Sequence, residues 1–238
     1  MTSAETPIPA NMASEVRDGV REALPILVAI IPFAVMFGAV AVKAGFSVSQ
    51  TVMTSAFIYA GASQFVMLDL LGQQAPAWSI ILAVFALNFR HVLYSASLSQ
   101  HLGSFSPIQK AGAFFLLVDP QFGMAETRAA KRKLQPSFYF SYAVLLYLTW
   151  IFMSFLGALF GSFITDPAAI GVDFILPLYF TGIVLGFRQR RFFWPIFVVS
   201  GISSALAYLA FGSPWNIAIG GIGGMIFAAV MSKPELEA

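Results

Sequence analysis

Cysteine is absent from this chain of 238 residues, which excludes disulfide bonds and thiolate metal sites. Charge is scarce too, since Asp, Glu, Lys and Arg make up 10% of the residues, whereas soluble domains contain about 25%. The two histidines, His91 and His101, are too few for a histidine-built metal site, and we expect no metal and no other cofactor. A basic patch with interleaved aromatic residues is also missing, so we expect no nucleic-acid partner.

The chain is instead rich in apolar residues, which make up 58% of it and give a mean hydropathy of +0.81. A run of about 20 apolar residues is long enough to cross a bilayer as one helix. The fourth, sixth and eighth runs are short for a crossing, so seven spans with one re-entrant segment are the alternative. We predict an all-α polytopic membrane protein with about eight transmembrane helices, over roughly 23–43, 50–71, 77–98, 108–124, 138–163, 174–187, 192–211 and 214–231.

Basic residues of short loops predict the orientation, because Lys and Arg are enriched on the cytoplasmic side of membrane proteins. With eight spans, four basic groups share one side, which places both termini in the cytoplasm and Lys110 outside. We therefore predict a cytoplasmic N-terminal segment (1–22), a transmembrane transporter domain (23–231) and a cytoplasmic tail (232–238), with residues 1–14 disordered. The four groups are Arg17 with Arg21, Arg128 with 131–133, Arg188 with 190–191, and Lys233.

The third segment contains the most informative cluster, Asn88-Phe89-Arg90-His91. Arginine at membrane depth costs at least about 2.5 kcal/mol, so such a residue is usually paired, hydrated or functional. At 100° per residue the polar side chains share one half of the helix surface, which favours a polar cavity over lipid. Snorkelling of Arg90 towards the membrane surface is the alternative. The polar set comprises Asn88, Arg90, His91, Tyr94, Ser95 and Ser97.

The fourth segment contains a carboxylate, Asp119, followed by Pro120. A lone carboxylate at membrane depth is neutralised by a proton or by a base, and Arg90 is the candidate base. A pure clamp between two helices is one interpretation. The other is a site that opens, in which Arg90 grips a substrate carboxylate and Asp119 receives an ammonium group or a proton. His91 titrates near neutral pH and is a candidate proton carrier.

The second segment contains small residues and a glutamine at its middle, in the run 59–65. Transporters often bind substrate where a helix is interrupted and its backbone N–H and C=O groups are exposed. The alternative is a packing surface of small residues, with Gln64 bonded to a neighbouring helix. We predict that the second and fourth helices are broken or kinked, the fourth because proline interrupts helix hydrogen bonding.

From about Arg21 to Met231 the chain resembles the AzlC family, the large subunits of bacterial branched-chain amino acid exporters. Where that family typically has Thr-Asp-Glu, this chain has Val118-Asp119-Pro120 and keeps only the aspartate. The resemblance implies multi-pass insertion in the bacterial cytoplasmic (inner) membrane, proton-coupled export of valine, leucine or isoleucine, and a small hydrophobic AzlD-type membrane subunit as partner. The matching stretches are Pro32-Phe33, Phe37-Gly38, 60–65, 88–91 and 93–98.

We therefore predict a secondary transporter and not an enzyme. The predicted proton-coupling residues are Asp119 and His91. The alternatives are transport of another small amphipathic metabolite, an assembly subunit in which Arg90 and Asp119 form only a clamp, and an intramembrane serine hydrolase using Ser63 and His91. The predicted substrate-binding residues are Arg90 for the carboxylate, Gln64, Ser63, Asn88 and Tyr94 as pocket groups, and Phe33 and Phe65 as apolar walls.

Overall fold

The computed structural model describes residues 11–161, 181, 184–185, 188–212 and 215–231. Within these ranges the regular structure is helical and contains no β-strand. Apart from residues 181, 184 and 185, the predicted segment over 174–187 lies outside the described residues, as does the tail over 232–238.

Nine helices can be bounded in the described part of the chain. Four of them, α1, α4, α7 and α8, are long and apolar enough to cross a membrane, which supports the predicted membrane class. The total of about eight spans stays a prediction. The helices are α1 (Met12–Lys43), α2 (Val48–Ile58), α3 (Gly61–Gly72), α4 (Ala77–Ser99), α5 (Pro107–Phe115), α6 (Asp119–Ala129), α7 (Pro136–Phe160), α8 (Phe193–Phe211) and α9 (Trp215–Met231).

The chain divides into two compact units, one of residues 1–64 and 89–165 and the other of 65–88 and 166–238. In the second unit, α8 and α9 pack closely because Gly220 and Gly224 of α9 lie against Ser204 and Ser200 of α8. The hydroxyl group of Ser200 also donates a hydrogen bond to the carbonyl oxygen of Gly220, at 2.8 Å. Small residues permit this approach of two backbones.

The first unit is organised around α1 and α7, which pack against each other in parallel. Gly19 of α1 lies against the backbone of Phe138, near the start of α7, whereas Gly38 lies against the carbonyl group of Ser154. Gly157 of α7 meets the carbonyl group of Val35 in the same way. Glycine is needed at these three positions because a Cβ atom would overlap the facing backbone.

Helix α1 begins at Met12, well before the predicted start at Ala23, so residues 12–14 are helical rather than disordered. Asn11 caps the helix by accepting a hydrogen bond from the backbone N–H of Ala13. At 1.5 Å per residue, 32 residues extend about 48 Å, more than the roughly 30 Å of a bilayer core. The first turns of α1 therefore project beyond the apolar stretch.

A cluster of five charged side chains holds these first turns to the end of α6. Arg128 is 4% exposed and contacts Glu15, which is 3% exposed, at 2.6 Å. We call this set the charge cluster. Its members are Glu15, Asp18 and Glu22 of α1, Arg128 of α6 and Arg132 just after α6. The hydrogen bond from Arg132 lowers the pKa of Asp18, which lies before the apolar stretch begins.

Helices α5 and α6 form a hairpin of two short helices. The hydroxyl group of Ser104, just before α5, donates a 3.2 Å hydrogen bond to the carbonyl oxygen of Leu134, just after α6. The intervening chain therefore leaves and returns on one side, that of the charge cluster. The segment predicted over 108–124 as one helix is therefore two short helices.

The local sequence explains where the two helices of the hairpin begin and end. Ser106 and Gln109 form a capping box that starts α5. Helix α5 ends at Phe115, before Pro120 is reached, and Pro120 lies in the first turn of α6, where proline is tolerated. Because α5 starts on the side of the charge cluster, Lys110 lies in a helix that begins there and not on the opposite side as predicted.

A second interruption separates α2 from α3. Helix α2 ends at Ile58, Tyr59 adopts a left-handed conformation with φ 38° and ψ 47°, and α3 begins at Gly61. The hydroxyl group of Tyr147 on α7 donates a 2.9 Å hydrogen bond to the carbonyl oxygen of Ala56. That bond satisfies one of the carbonyl groups left unpaired by the helix end.

Candidate functional site

The predicted ion pair between Arg90 and Asp119 is present. The Nη2 atom of Arg90 lies 3.0 Å from Oδ2 of Asp119, and the two side chains are 24% and 12% exposed. The hydroxyl group of Tyr94 donates a 2.9 Å hydrogen bond to Oδ1 of the same carboxylate. Arg90 therefore turns towards α6 and does not snorkel.

The position of Asp119 follows from the hairpin. It is the first residue of α6, so it lies at the turn between the two half-helices, where the partial positive charge of a helix N-terminus favours an anion. Arg90 lies nine residues before the end of α4, about 13 Å along the helix. The pair therefore lies deep in an apolar element.

The polar contacts continue along α4 and α6 for two further turns. The hydroxyl group of Ser97 donates a 2.7 Å hydrogen bond to Oε1 of Glu126. Nε2 of His101 lies 3.8 Å from Oε2 of the same carboxylate. Between the two carboxylates, the rings of Tyr94 and Phe122 stack with centroids 4.2 Å apart.

We call this set the α4–α6 polar row. Its members are Arg90, Tyr94, Ser97 and His101 on the α4 side, and Asp119, Phe122 and Glu126 on α6. The residue numbers on α4 and on α6 increase in the same direction along the row, so the two helices run in parallel here.

Sequence reasoning assigned no role to Glu126 or His101. A signal for Glu126 existed, because residues 119 and 126 lie seven apart and therefore on one face of a helix. It could be used only if α6 ran parallel to α4, whereas consecutive membrane spans such as those predicted from the sequence alternate in direction.

The face of α4 opposite the polar half is apolar and exposed. Phe85, Phe89, Val92 and Leu93 each have a large exposed fraction, which fits a lipid-facing surface. His91 is half-buried, and its ring lies edge-on to Tyr94 with centroids 5.8 Å apart. Its predicted proton-coupling role stays a prediction.

The first turn of α3 contributes buried polar groups beside the α2–α3 interruption. Ser63 and Gln64 are fully buried. Neither polar atom of the Gln64 amide has a hydrogen-bond partner among the described residues. A buried amide without partners costs free energy comparable to one or more lost hydrogen bonds, so a further polar group is expected there.

An aromatic wall lies next to this interruption. Phe33 of α1 packs edge-on to Trp150 of α7 with centroids 5.6 Å apart, and both rings touch the position of Gly61. The predicted wall residue Phe33 is thus placed beside the start of α3. Asn88 and Phe65 are half-buried and belong to the second unit.

The structure thus brings three predicted residues, Arg90, Tyr94 and Asp119, into direct contact. His91 contacts the same group through Tyr94. Among the residues that the structure describes, no three His, Asp or Glu side chains are grouped so as to hold a metal ion.

A model of the family described as AzlC protein matches residues 25–164, more than half of the chain. The chain belongs to the AzlC family. It is 31% identical over 236 residues to the inner membrane protein YgaZ of Escherichia coli K12, with 95% of each chain covered. The resemblance predicted from the sequence is therefore confirmed.

Two further relatives are more distant. The branched-chain amino acid transport protein AzlC of Bacillus subtilis is 26% identical over 160 residues, with 66% of this chain and 61% of the relative covered. An uncharacterized membrane protein of Helicobacter pylori 26695 is 27% identical over 228 residues, with 93% and 96% covered. No solved structure matches the chain. The chain is thus a membrane protein related to an amino acid transport protein.

Proposed function

We propose that this protein is a secondary transporter that exports branched-chain amino acids from the bacterial cytoplasm in exchange for protons. The name of the Bacillus subtilis relative supports the substrate class, and that of the Escherichia coli relative supports the inner membrane. The small AzlD-type subunit is carried over from the family resemblance.

The Arg90–Asp119 ion pair is the observation on which the proposal rests. An amino acid is a zwitterion with one charge of each sign. Its carboxylate can replace Asp119 as the acceptor for the N–H groups of the Arg90 guanidinium. Its ammonium group can replace Arg90 as the partner of the Asp119 carboxylate. Both protein charges then stay paired with and without substrate, which avoids the large cost of leaving one buried charge uncompensated.

Asp119 supplies the proposed proton coupling. A proton on its carboxylate removes the negative charge that the substrate ammonium group requires. Amino acid and proton therefore compete for Asp119. Each time the site changes from facing one side of the membrane to facing the other, it carries either the amino acid or the proton. Competition of this kind produces exchange, so an inward proton gradient drives the amino acid outwards.

The two interrupted helices supply the proposed scaffold for substrate binding. In transporters, half-helices expose unpaired backbone groups to the substrate near the middle of the membrane. We propose that Ser63 and Gln64 at the start of α3 line the pocket and that the partnerless Gln64 amide binds substrate or a water beside it. Phe33, with Trp150, provides an apolar wall for an aliphatic side chain. The binding roles of Asn88 and Phe65, which belong to the second unit, stay predictions.

The orientation is proposed from charge. Arg17, Arg21 and the basic residues over 128–133 lie in segments that the charge cluster joins. Short loops with an excess of Lys and Arg usually lie in the cytoplasm. We therefore propose that α1 begins on the cytoplasmic side. With the α5–α6 hairpin counted as re-entrant, the chain has fewer complete crossings than eight.

Counterflow in proteoliposomes tests the proposal. The protein is reconstituted with and without the neighbouring small membrane protein, the vesicles are loaded with unlabelled leucine, and entry of labelled leucine is followed. Wild-type protein should accumulate label, and Arg90→Lys, which keeps the charge but loses the fork, should reduce uptake by about tenfold or more. Absence of wild-type counterflow with leucine, valine and isoleucine, with partner present, would refute the proposed substrate class.

A further inference from the structure

The proposed exchange does not use Glu126 or His101, yet both lie on the same polar row as Asp119. Glu126 accepts a hydrogen bond from Ser97 and faces the imidazole of His101. It lies two helical turns from Asp119, about 10 Å along α6. Glu126 is thus a second carboxylate on the same row, held by a hydroxyl group and next to a histidine.

The exposure of the titratable side chains rises steadily along the row. Asp119 is 12% exposed, Glu126 is 24% exposed and His101 is 35% exposed. His101 follows the end of α4, in the stretch joined by Ser104 to the start of α7. The row therefore connects the buried ion pair to the aqueous side on which α1 begins.

We infer that Glu126 and His101 form a proton relay between Asp119 and the aqueous phase on the side where α1 begins. The inference rests on the proposed function and names the route by which its proton leaves. Glu126 is the intermediate acceptor, and His101 is the exchange point with water.

The transfer balances without any added reactant except water. The proton leaves the carboxyl group of Asp119 as the substrate ammonium group or Arg90 takes its place. It passes through hydroxyl groups and water to the carboxylate of Glu126, then to the unprotonated Nε2 atom of His101, and finally to bulk water. Glu126 and His101 each gain and lose one proton and so return to their starting charge, whereas Asp119 is left as a carboxylate paired with the ammonium group or with Arg90.

The stacked rings of Tyr94 and Phe122 lie between the two carboxylates and close the route in this conformation. Two rings whose centroids lie 4.2 Å apart leave no room for water between them. The relay therefore conducts when these rings separate, which links proton release to a movement of α6 against α4. Such a barrier prevents a continuous proton leak.

Other charged and titratable groups on the helices around the relay have partners of their own. On α6, Arg128 is directed towards Glu15, Asp18 and Glu22 of α1. On α4, Arg90 is bound to Asp119. On α7, the hydroxyl groups of Tyr139 and Tyr142 donate to the carbonyl oxygens of Ala113 and Pro120. Among the described residues, the ionisable side chain that pairs with Glu126 is therefore that of His101.

Glu126→Gln separates a relay from a structural tie, because glutamine still accepts the hydrogen bond from Ser97 but carries no titratable proton. Proteoliposomes are assayed with leucine in two ways, by counterflow at symmetric pH and by net transport driven by a pH gradient. Counterflow exchanges one leucine for another and needs no proton release. The control is Asp69→Asn, which changes an exposed carboxylate hydrogen-bonded to Gln73.

We expect Glu126→Gln to keep counterflow within about twofold and to lower net transport by about 100-fold, the scale of a lost proton-transfer group. His101→Gln should show the same pattern with a smaller loss, and it serves as the test if Glu126→Gln does not fold. Unchanged net transport, or equal losses in both assays, would overturn the relay. Absence of wild-type counterflow would instead overturn the proposed function, and the relay with it.

Discussion

Ser104 and Leu134 are thirty residues apart in sequence, yet a 3.2 Å hydrogen bond joins them. This bond closes the α5–α6 hairpin and places Asp119 at its turn. It also places the end of α4 and the start of α7 on one side. The membrane sidedness of the loops follows directly and can be measured.

Single cysteines provide that measurement, because the natural chain contains none. Gly103→Cys and Lys131→Cys lie in exposed positions on either flank of the hairpin, and Gly45→Cys lies past the other end of α1. A membrane-impermeant maleimide should label the first two from the same side and Gly45→Cys from the opposite side. Labelling of positions 103 and 131 from opposite sides would show a complete crossing between them.

The ion pair of the proposed site should be required for export in cells. Cells fed with peptides containing branched-chain residues accumulate the free amino acids when export fails, so Arg90→Ala should raise the internal concentration. Arg17→Ala, which removes an exposed arginine of α1, is the matched control and should not. Normal efflux in a well-expressed Arg90→Ala variant would reject the proposed role.

A charge swap distinguishes a binding site from a clamp. The double variant Arg90→Asp with Asp119→Arg keeps one charge of each sign at the pair. If the pair only holds two helices together, the swap should restore both folding and transport. We expect the double variant to reach the wild-type amount of folded protein but not to transport. The substrate charges would then face side chains of the wrong sign, and position 119 would have no carboxylate to bind the proton.

The charge cluster should contribute strongly to stability. Arg128→Ala removes the 2.6 Å partner of the buried Glu15 and leaves only the more distant Arg132, at 3.6 Å. Loss of one member of a buried pair costs about 3–5 kcal/mol. Arg132→Ala removes a 51% exposed side chain and should cost less than about 1 kcal/mol. Thermal unfolding followed by tryptophan fluorescence measures both, and equal effects would contradict the assigned burial.

The pH dependence of this cluster has a definite sign. Its hydrogen bond to Arg132 holds the pKa of Asp18 below the usual range. The stabilisation from Asp18 is therefore fully present above the ordinary aspartate pKa of about 3.9, and it is lost only as the pH falls through the lowered value. The difference between wild type and Arg132→Ala should stay constant from about pH 5 to 8.

Gly38 lies at one of the closest backbone approaches of the α1–α7 contact. A methyl group there would overlap the carbonyl group of Ser154, so Gly38→Ala should force the helices apart and cost about 1–3 kcal/mol or more. Gly72→Ala is the control, since its added atom meets open space. Comparable melting temperatures for the two variants would contradict the close approach.

The sequence predicted the ion pair because the periodicity of a helix fixes which side chains share a face, and few partners exist for Arg90 in so apolar a chain. It did not reveal Glu126 as part of the row, because periodicity says nothing about whether a neighbouring helix runs parallel or antiparallel. The reversal at residues 116–118 depends on the contact between Ser104 and Leu134, which no local pattern encodes.

The early start of α1 was missed for a related reason. Its charged residues are typical of a solvated segment. Their partner Arg128 lies more than a hundred residues away in the sequence. Long-range ion pairs of this kind cannot be read from local composition. By contrast, the capping box of Ser106 and Gln109 was a readable local signal for the start of α5.

Leucine binding to the purified transporter, measured as a function of pH, tests the proposed competition between amino acid and proton for Asp119. Because one proton would displace one leucine, the wild-type affinity should fall as the pH is lowered, by up to about tenfold per pH unit. Asp119→Asn, which lacks the charge as the protonated carboxyl group does, should bind leucine weakly and without this pH dependence over the same range. Identical pH slopes in the two proteins would contradict the account, because the competing proton would then bind elsewhere.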